Sequence, residues 1–533
     1  MLKAMSSVEK LQKAVEITIN AGYQLNKDAF EFLSKLASME DPVGVMNKAL
    51  EKIDTLEIKP LFIEREFLEE IIKKAETIEE TIGQTKSLEL PQTSPKPQLQ
   101  GQDTQQVQLL EGKKLFRPYA KEVEAKINII ENPGDKLSSA GTLGDYLEYF
   151  RDRFKRVEKL LRQRIDAQSA ASIIEALKAP AGAKLKIIGM ITEKRESNQR
   201  IFLTVEDLYA NATVLVPNNA SQETRKKATM LLLDQVVCLS VTKIRGNLLI
   251  AEDIMLPDIP QKTQNKAPVP VYAVLTSDMH MGSVKFQRKA FERFISWLNG
   301  KYGNEEMRKI ASHVKYVLIA GDIVDGIGVY PNQVKELAVK DVYEQYRLAA
   351  KLIGQIPEYI EVIIIPGNHD APRKALPQPP ISEDYLEPMQ ETRKICSLGD
   401  PCYLSLHKVE VLMYHGRSLD DVISTVPGLE YKQPEKAMTL FLQGRHLAPI
   451  YGGKTPISPE NKDFLVIERV PDVFHAGHIH TLGYSNYRGV IIVNSGCWQE
   501  QTEYMRRLGL VPTPGLVPVL NLQTLNLQLI PFA

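Results

Sequence analysis

The sequence predicts a multidomain α/β protein: an N-terminal helical module, a small five-stranded β-barrel and a C-terminal α/β domain. Three observations predict it. At 533 residues the chain exceeds what one hydrophobic core ordinarily holds. Its apolar periodicity changes along the chain, from helical spacing to short alternating strands to continuous β-branched runs. Its composition, 43% hydrophobic and 25% charged, is that of a globular protein. The expected divisions are 1–80 for the helical module, 81–130 for a flexible linker, 131–260 for helices plus barrel, and 261–533 for the α/β domain.

In the first module, Leu11, Val15 and Ile19 share a helical face, and "FIEREFLEEIIKKAE" repeats the period. Such a module suits docking or packing. Residues 83–107 are rich in Gln, Pro, Ser and Thr and poor in large apolar residues, the composition of a linker. "TLGDYLEYFRDRFKRVEKLLRQR", Thr142 to Arg164, is an amphipathic helix with a Thr start signal; its basic end suits the helix dipole. A second helix, "SAASIIEALKA", follows. Next come "KLKIIGMITEKRE", "RIFLTVEDLYANATVLVP" and "VVCLSVTKIRGNLLIAEDIML", whose alternation and turn residues suggest a barrel of the OB type. Lys184, Lys186, Lys194, Arg195, Arg200 and Phe202 are a thin set for gripping a nucleic-acid strand, so packing against a neighbour is the favoured role. "PDIPQKTQNKAPVP", Pro257 to Pro270, reads as a second linker. From Val271 onward, apolar strands alternate with helical or looped segments, which favours a central sheet covered on its faces.

The charge balance excludes one class. With 66 basic and 66 acidic residues, the chain lacks the excess that marks a stand-alone DNA binder. Cys238, Cys396, Cys402 and Cys497 show no CxxC spacing and are expected to be reduced thiols of an intracellular protein. No apolar run approaches a membrane span, and the N-terminus lacks a signal-peptide core, so a cytoplasmic location is expected and no membrane partner.

The chemistry is concentrated where apolar strands stop. "VYAVLTSDMHMGS" ends in Asp278 and His280, and "VKYVLIAGDIVDG" in Gly321, Asp322 and Asp325. "EVIIIPGNHD" ends in Asn368, His369 and Asp370; "VEVLMYHGR" in His415; "VFHAGHIHT" in His478 and His480. In α/β sheets the carboxyl ends of strands are where ligands sit. A donor set of Asp, Asn and His without thiolate suits Mn, Fe or Zn. Two such sets bridged by one carboxylate would hold two metals roughly 3.5–4 Å apart, an arrangement for cleaving phosphate esters. Each element alone is weak. All of them together, in this order, are hard to produce by accident.

That order resembles the calcineurin-like metallophosphoesterase superfamily over roughly residues 271–500. The resemblance implies an α/β sandwich. Position by position, it implies one metal held by Asp278, His280, Asp322 and His480, and a second by Asp322, Asn368, His415 and His478, with Asp322 bridging. His369 would act as the general acid, and Asp370 and Asp325 would orient imidazoles from behind. His313 and His407 are expected to be structural, and His475 to face the layer covering its sheet. Arg445 and His446 are possible DNA contacts, with a helix-cap or packing role favoured.

The domain order, with "GNHDAPRKALPQPPI", "YHGRSLDDVIS", "RHLAPIYGG" and "NSGCWQEQTEYMRRLGLVPTPG", is similar to the small subunit of archaeal family D DNA polymerases. The related eukaryotic B-subunits have lost metal ligands; here none of the ligand positions is substituted. The resemblance therefore implies a 3′→5′ proofreading exonuclease, two divalent ions with Mn²⁺ productive, single-stranded 3′ ends as substrate and the large catalytic subunit as partner. The apolar C-terminal tail would in part close a sheet and in part meet that partner. Alternatives are an independent metallophosphatase or nucleotidase, a non-catalytic scaffold subunit, or an endonuclease sharing the site.

Overall fold

The computed structural model describes residues 7–20, 24–25, 27–36, 41–54, 62–63, 65, 67–69, 116–134 and 137–533. It divides into two units, Met1–Glu111 and Gly112–Ala533. In the first, helices Ser7–Asn20, Lys27–Leu36 and Pro42–Asp54 accompany a short parallel pair, β1 (Gln24–Leu25) and β2 (Phe62–Ile63). Ala14, Leu33, Met46, Ile53, Ile63 and Leu68 form its core. The Gln- and Pro-rich stretch 83–107 lies outside the described residues.

The second unit starts earlier than the sequence suggests. Residues 127–130, expected inside the linker, form strand β3 with Glu131 (Ile127–Glu131) and pair antiparallel with a strand far later in the chain. The alternation in "INIIE" is too short to announce a strand whose partner is that remote. The helix Leu143–Arg162 forms as expected. The Thr142 hydroxyl accepts from the Asp145 N–H (3.3 Å), and the Asp145 carboxylate accepts from the Thr142 N–H (2.9 Å), which satisfies two otherwise unpaired donors.

The expected small barrel is present. β4 (Lys184–Ser197), β5 (Arg200–Glu206), β6 (Asn211–Val216), β7 (Val236–Lys243) and β8 (Leu248–Met255) close in the order β4-β5-β6-β8-β7. Alternate residues Ile201, Leu203 and Val205 on β5, and Ala212, Val214 and Val216 on β6, fill its interior. Its basic residues are mostly engaged within the chain. Lys184 pairs with Glu252 (2.9 Å), Lys194 donates to the Leu231 carbonyl (2.9 Å), Lys186 donates to the Asp166 carbonyl, and Arg195 lies over the Phe202 ring.

The rest forms four layers. One sheet contains β9 (Tyr272–Thr276), β10 (Val314–Ala320), β11 (Glu361–Ile365), β12 (Ile395–Ser397), β18 (Leu516–Asn521) and β19 (Leu527–Pro531), in the order β12-β11-β10-β9-β18-β19. The other contains β3, β13 (Cys402–Leu406), β14 (Val409–Tyr414), β15 (Val473–Ala476), β16 (Leu482–Tyr487) and β17 (Val490–Ser495), in the order β16-β17-β15-β14-β13-β3. The two sheets bury Leu275, Leu318, Ile363, Val411, Met413 and Val473 between them. The alternate residues Val274, Val317, Ile319 and Ile364 point outward to helices Arg288–Leu298 and Val342–Ile353. Leu412, Phe474 and Ile492 likewise meet helices Leu419–Thr425 and Pro434–Gly444. Each such buried side chain contributes on the order of 1.5–3 kcal/mol.

The single central sheet suggested by the strand pattern is thus two sheets packed face to face, the sandwich that the resemblance implied. A strand apolar on both faces reads the same whether its second face meets a helix or another sheet. His475 follows from this: it alternates with the outward Phe474 and Ala476, so it faces the other sheet, not the covering helices, and neither ring nitrogen has a hydrogen-bond partner. The second linker is a strap. Asp258, Lys262 and Ala267 donate backbone N–H groups to Gln443, Arg488 and Leu522 (2.8–2.9 Å), and Ile259 and Ala267 are buried. Most of the apolar tail closes the first sheet as β18 and β19, with Val519, Leu520, Ile530 and Phe532 buried. Among the described residues, no helix is long and apolar enough to cross a membrane.

Candidate metal centre

β9, β10 and β11 run parallel in one sheet, and β14 and β15 run parallel in the other. Their carboxyl ends deliver the site residues to one place. Asp278, His280 and His480 offer donor atoms within 4.8 Å of one another, as do Asp322, His415 and His478, and a third such group is His280, Asp325 and His369.

The two central carboxylates are built alike. Asp278 uses Oδ2 to accept the His478 N–H (2.8 Å), and Asp322 uses Oδ1 to accept the His369 N–H (2.8 Å). Each then presents its other oxygen to imidazoles. Asp278 Oδ1 lies 3.3 Å from His480 Nε2 and 3.8 Å from His280 Nε2. Asp322 Oδ2 lies 3.4 Å from His415 Nε2 and 3.7 Å from His280 Nε2. His280 Nε2 and His480 Nε2 are 3.0 Å apart, and His415 Nε2 is 3.0 Å from Asn368 Oδ1. Donor atoms about 2.0–2.2 Å from one metal are separated from each other by roughly 3–3.6 Å. The His480–Asp278, His415–Asp322, His280–His480 and His415–Asn368 spacings fall in that range, and the two from His280 to the carboxylates lie just outside it.

Two further observations fit metal ions. Asp278 Oδ1 and His480 Nδ1 are buried without a hydrogen bond. And among the described residues no Lys or Arg lies within ion-pair distance of Asp278, Asp322 or Asp325; imidazoles are the only basic side chains that reach them. Buried carboxylates are normally paired or bound to a metal. The deficit shows in the imidazoles. Burial disfavours charge on His280, yet Asp278, Asp325 and Asp322 outweigh it and hold its pKa up to about 10. His415 is likewise raised to about 10 against burial, chiefly by Asp322. His369 goes the other way: burial lowers it to about 4, against the pull of Asp322.

The loops that carry these residues are under backbone strain. Asp278, His280, Asp322, His478 and His480 all have positive φ, a conformation costly for residues other than glycine. Close approach does the rest. A Cβ on Gly367 would lie 2.1 Å from Asp322 Oδ1, so only glycine fits there. Backbone bonds cross between the loops: Asp278 N–H donates to Gly321 O, His280 N–H to Asp322 O and Gly477 N–H to His415 O (2.8–3.0 Å).

Residues behind the donors set the tautomers. His415 Nδ1 donates to the Ala320 carbonyl (2.8 Å), leaving Nε2 for the cluster. Asp325 Oδ1 holds His280 Nδ1 (2.9 Å), while its backbone carbonyl accepts from His369 Nδ1 (2.7 Å). Asp325 therefore contacts the imidazoles of both His280 and His369, so its place is beside these rings. Asp370 does not. Its carboxylate accepts the N–H groups of Gly367 (2.8 Å), Ile323 and Val324 (both 3.3 Å) and the Tyr346 hydroxyl (3.1 Å), so it clamps one loop to the next. Burial and the nearby Asp322 charge raise its pKa to about 6.

Sequence reasoning missed several partners. Asp420 Oδ2 is 3.0 Å from His478 Nε2, leaving Nδ1 of that ring for the cluster. Gln333 and Gln499 donate to the Asp325 carboxylate (3.1 and 3.0 Å). Asp400 Oδ1 accepts the His415 N–H (2.9 Å). Only Asp420 carries a signal, the acid pair that follows "HGRSL" after a strand end.

Arg445 and His446 are not at the site. Both are buried, so the DNA contact considered for them is corrected. Arg445 has positive φ at the C-cap of Pro434–Gly444, and its guanidinium donates to the Ile467 and Glu468 carbonyls. His446 bonds Asp463 (2.8 Å). His313 stacks on Tyr119, and His407 is buried without a hydrogen-bond partner on either ring nitrogen. At the centre itself, the side chains of His369, His478 and His480 are 12%, 15% and 13% exposed, against 0–2% for Asp278, His280, Asp322 and His415, so the opening lies on their side.

A family model for the B-subunit of DNA polymerase alpha/epsilon matches residues 273–482, the stretch from β9 to the His478/His480 strand end. The chain is 40% identical to the DNA polymerase II small subunit of Archaeoglobus fulgidus over 394 residues, 74% of this chain and 78% of that one. It is 40% identical to the protein of the same name from Methanothermobacter thermautotrophicus over 395 residues, 74% and 80% of the two chains. For the Pyrococcus furiosus protein of that name the identity is 40% over 381 residues, 71% of this chain but only 62% of that one, so the chain spans less than two thirds of that relative's length. Among solved structures, asparaginyl-tRNA synthetase from Pyrococcus horikoshii aligns with 14% of this chain and 19% of its own, at 21% identity and a TM-score of 0.14. The identity runs over most of the chain and the family model covers the strand ends that build the centre, so the chain belongs to the family of small subunits of archaeal DNA polymerase II, the family D polymerases.

Proposed function

We propose that the chain is a metal-dependent phosphodiesterase, the 3′→5′ proofreading exonuclease that accompanies the large catalytic subunit of its polymerase. The observation that carries this reading is the position of Asp322: one oxygen fixed on a backbone N–H, the other between His280 and His415. Asp278, His280, Asp322 and His480 would hold one divalent cation; Asp322, Asn368, His415 and His478 would hold the other. Mn²⁺ is the leading candidate, with Fe and Zn the alternatives. Such ions, when bound, supply a polarised water nucleophile and neutralise charge on the phosphate.

The chain's own residues supply the rest. His369 is fixed through Nδ1 on the Asp325 carbonyl, so Nε2 faces the centre. Because burial keeps the ring neutral with its proton on Nδ1, Nε2 would first take up a proton from solvent on its exposed side and then pass it to the leaving 3′-oxygen. Asp325 and Asp420 fix His280 and His478 in orientation. In this reading the five-stranded barrel is an OB module, residues 1–80 dock a partner, and a single-stranded 3′ end of DNA is the substrate.

The test is digestion of a 5′-labelled single-stranded oligonucleotide by the purified chain with Mn²⁺, beside His369→Ala and Asp322→Ala. A ladder shortening from the 3′ end, lost in both variants, is expected. Faster cleavage of a chromogenic phosphomonoester than of the oligonucleotide would replace this reading with an independent metallophosphatase. Stoichiometric metal with no cleavage, alone or with the large subunit, would leave a scaffold role.

A further inference from the structure

Two segments outside the ligand set border the opening of the centre. The first follows Asp325 and carries Tyr330, whose ring centroid is 6.1 Å from that of His369. The second begins at the short helix Glu503–Arg507 and carries Tyr504, whose ring lies 5.5 Å from Tyr330 with 30° between the planes. Tyr504 is 49% exposed, a large aromatic surface left to solvent beside a buried polar cluster. From Tyr504 the chain passes exposed Leu508 and Val511 to Thr513, whose N–H donates to the His480 carbonyl (2.8 Å). The segment thus runs from beside the His369 ring to the His480 side.

Glu336 holds the tyrosines in register. One carboxylate oxygen accepts from the Tyr330 hydroxyl (2.8 Å), and the other accepts from the Glu503 N–H (2.9 Å). A third tyrosine, Tyr431, stands beside Asp420, which in turn holds His478. Aromatic side chains therefore stand on both the His369 and the His478 sides of the opening.

Unpaired bases bind proteins chiefly by stacking on aromatic rings, and such stacking tolerates any base. A phosphodiester seated between the ligands and His369 leaves its terminal base outside the cluster, one ring's distance away. We propose that Tyr330 and Tyr504 form a stacking platform for the 3′-terminal base of a single strand. This makes stacking of an unpaired terminal base a determinant of which ends are cleaved. Tyr504 is the contact surface; Tyr330 and Glu336 are positioning residues behind it. The inference rests on the exonuclease reading for its effect on rate, but not for the binding itself.

Two measurements on the full chain separate these. Initial rates are compared on oligonucleotides that end in a normal 3′ nucleotide and in a 3′ abasic one. The native chain is expected to favour the base-bearing end by roughly five- to a hundredfold, the range one stacked base supplies. Tyr504→Ala should lose that preference, slowing the base-bearing end far more than the abasic one, and Tyr504→Phe should keep it. In parallel, fluorescence of a 3′-terminal 2-aminopurine is followed on binding to His369→Ala, with and without Tyr504→Ala. Quenching that disappears with Tyr504→Ala supports the platform even if no oligonucleotide is cleaved, an outcome that would sink the exonuclease reading alone. Equal native rates on both ends, equal slowing of both ends by Tyr504→Ala, or quenching that survives Tyr504→Ala would overturn the platform.

Discussion

Two buried clusters of His and Asp sit in the C-terminal unit, and they are built on opposite principles. One is the candidate metal centre. The other joins Arg153 of the helix Leu143–Arg162 to Asp463 and His446. In the second, every donor has a partner. Arg153 donates to Asp463 (2.8 Å), to the Pro449 carbonyl (2.8 Å) and to the Tyr149 hydroxyl (3.1 Å). His446 donates through Nε2 to Asp463 and accepts the Ala448 N–H at Nδ1 (3.1 Å). Burial would raise the Asp463 pKa, but His446 and Arg153 hold it far below the usual carboxylate range. In the candidate metal centre, imidazole nitrogens converge on one another at 3.0 Å, a carboxylate oxygen is left unbonded, and among the described residues no guanidinium or ammonium pairs with the carboxylates. A closed cluster stabilises the fold. An open, convergent one has donor atoms that could hold a metal ion.

The comparison can be broken by substitution, the largest effect first. Asp322→Ala is expected to remove the shared carboxylate and abolish metal-dependent cleavage. The loss should exceed the 10–100-fold typical of an outer partner, with bound metal per chain falling in the same preparation. A variant that keeps its full metal content would contradict the bridging assignment. Asp463→Ala should do the reverse. Leaving Arg153 buried and unpaired costs about 3–5 kcal/mol, read as a lower urea midpoint, with metal content unchanged in the folded protein.

Smaller effects sharpen the contrast. Asp420→Asn should weaken metal binding roughly 10–100-fold, as loss of an orienting partner does. Excess metal in the assay should restore most of the activity; failure to restore it would give Asp420 another role. His446 tests the closed cluster by pH. Burial, with Arg153 nearby, lowers its pKa to about 4, against an ordinary value near 6.5. The unfolded chain therefore takes up this proton first as pH falls. The stability tied to neutral His446 is complete above about 6.5 and lost towards 4. The urea midpoint should drop between pH 7 and pH 5 by more in the native chain than in His446→Gln. Equal slopes would show that the burial of His446 does not govern acid sensitivity.

The clusters also show where a sequence is legible. "DMH", "GNHD" and "GHIH" stand at the ends of apolar runs, and a run that stops at a polar residue announces both a strand and its carboxyl end. The ligand candidates follow from that local pattern. "GRHL" carries the same residue types, yet its Arg is a helix C-cap and its His is closed off by Asp463. Nothing within a few residues distinguishes the two cases. Asp325 and Asp370 make the same point at closer range. Each follows a ligand strand, but one orients His280 and the other binds backbone N–H groups, because the loops turn differently.

By itself the sequence determined the elements: the capped helix at Thr142, the alternating barrel strands, the buried β-branched strands and the Asp, Asn and His residues at their ends that could hold a metal. These depend on periodicity, capping and turn chemistry, which act over a few residues. Only the tertiary structure decided that the apolar strands form two sheets with a core between them, that β3 joins the second sheet, and that the tail closes the first. It alone placed Asp420 against His478, and Tyr330 and Tyr504 beside His369. The reason is physical. A buried strand carries the same apolar pattern whatever covers its second face, and which distant polar groups meet is settled by how the layers pack.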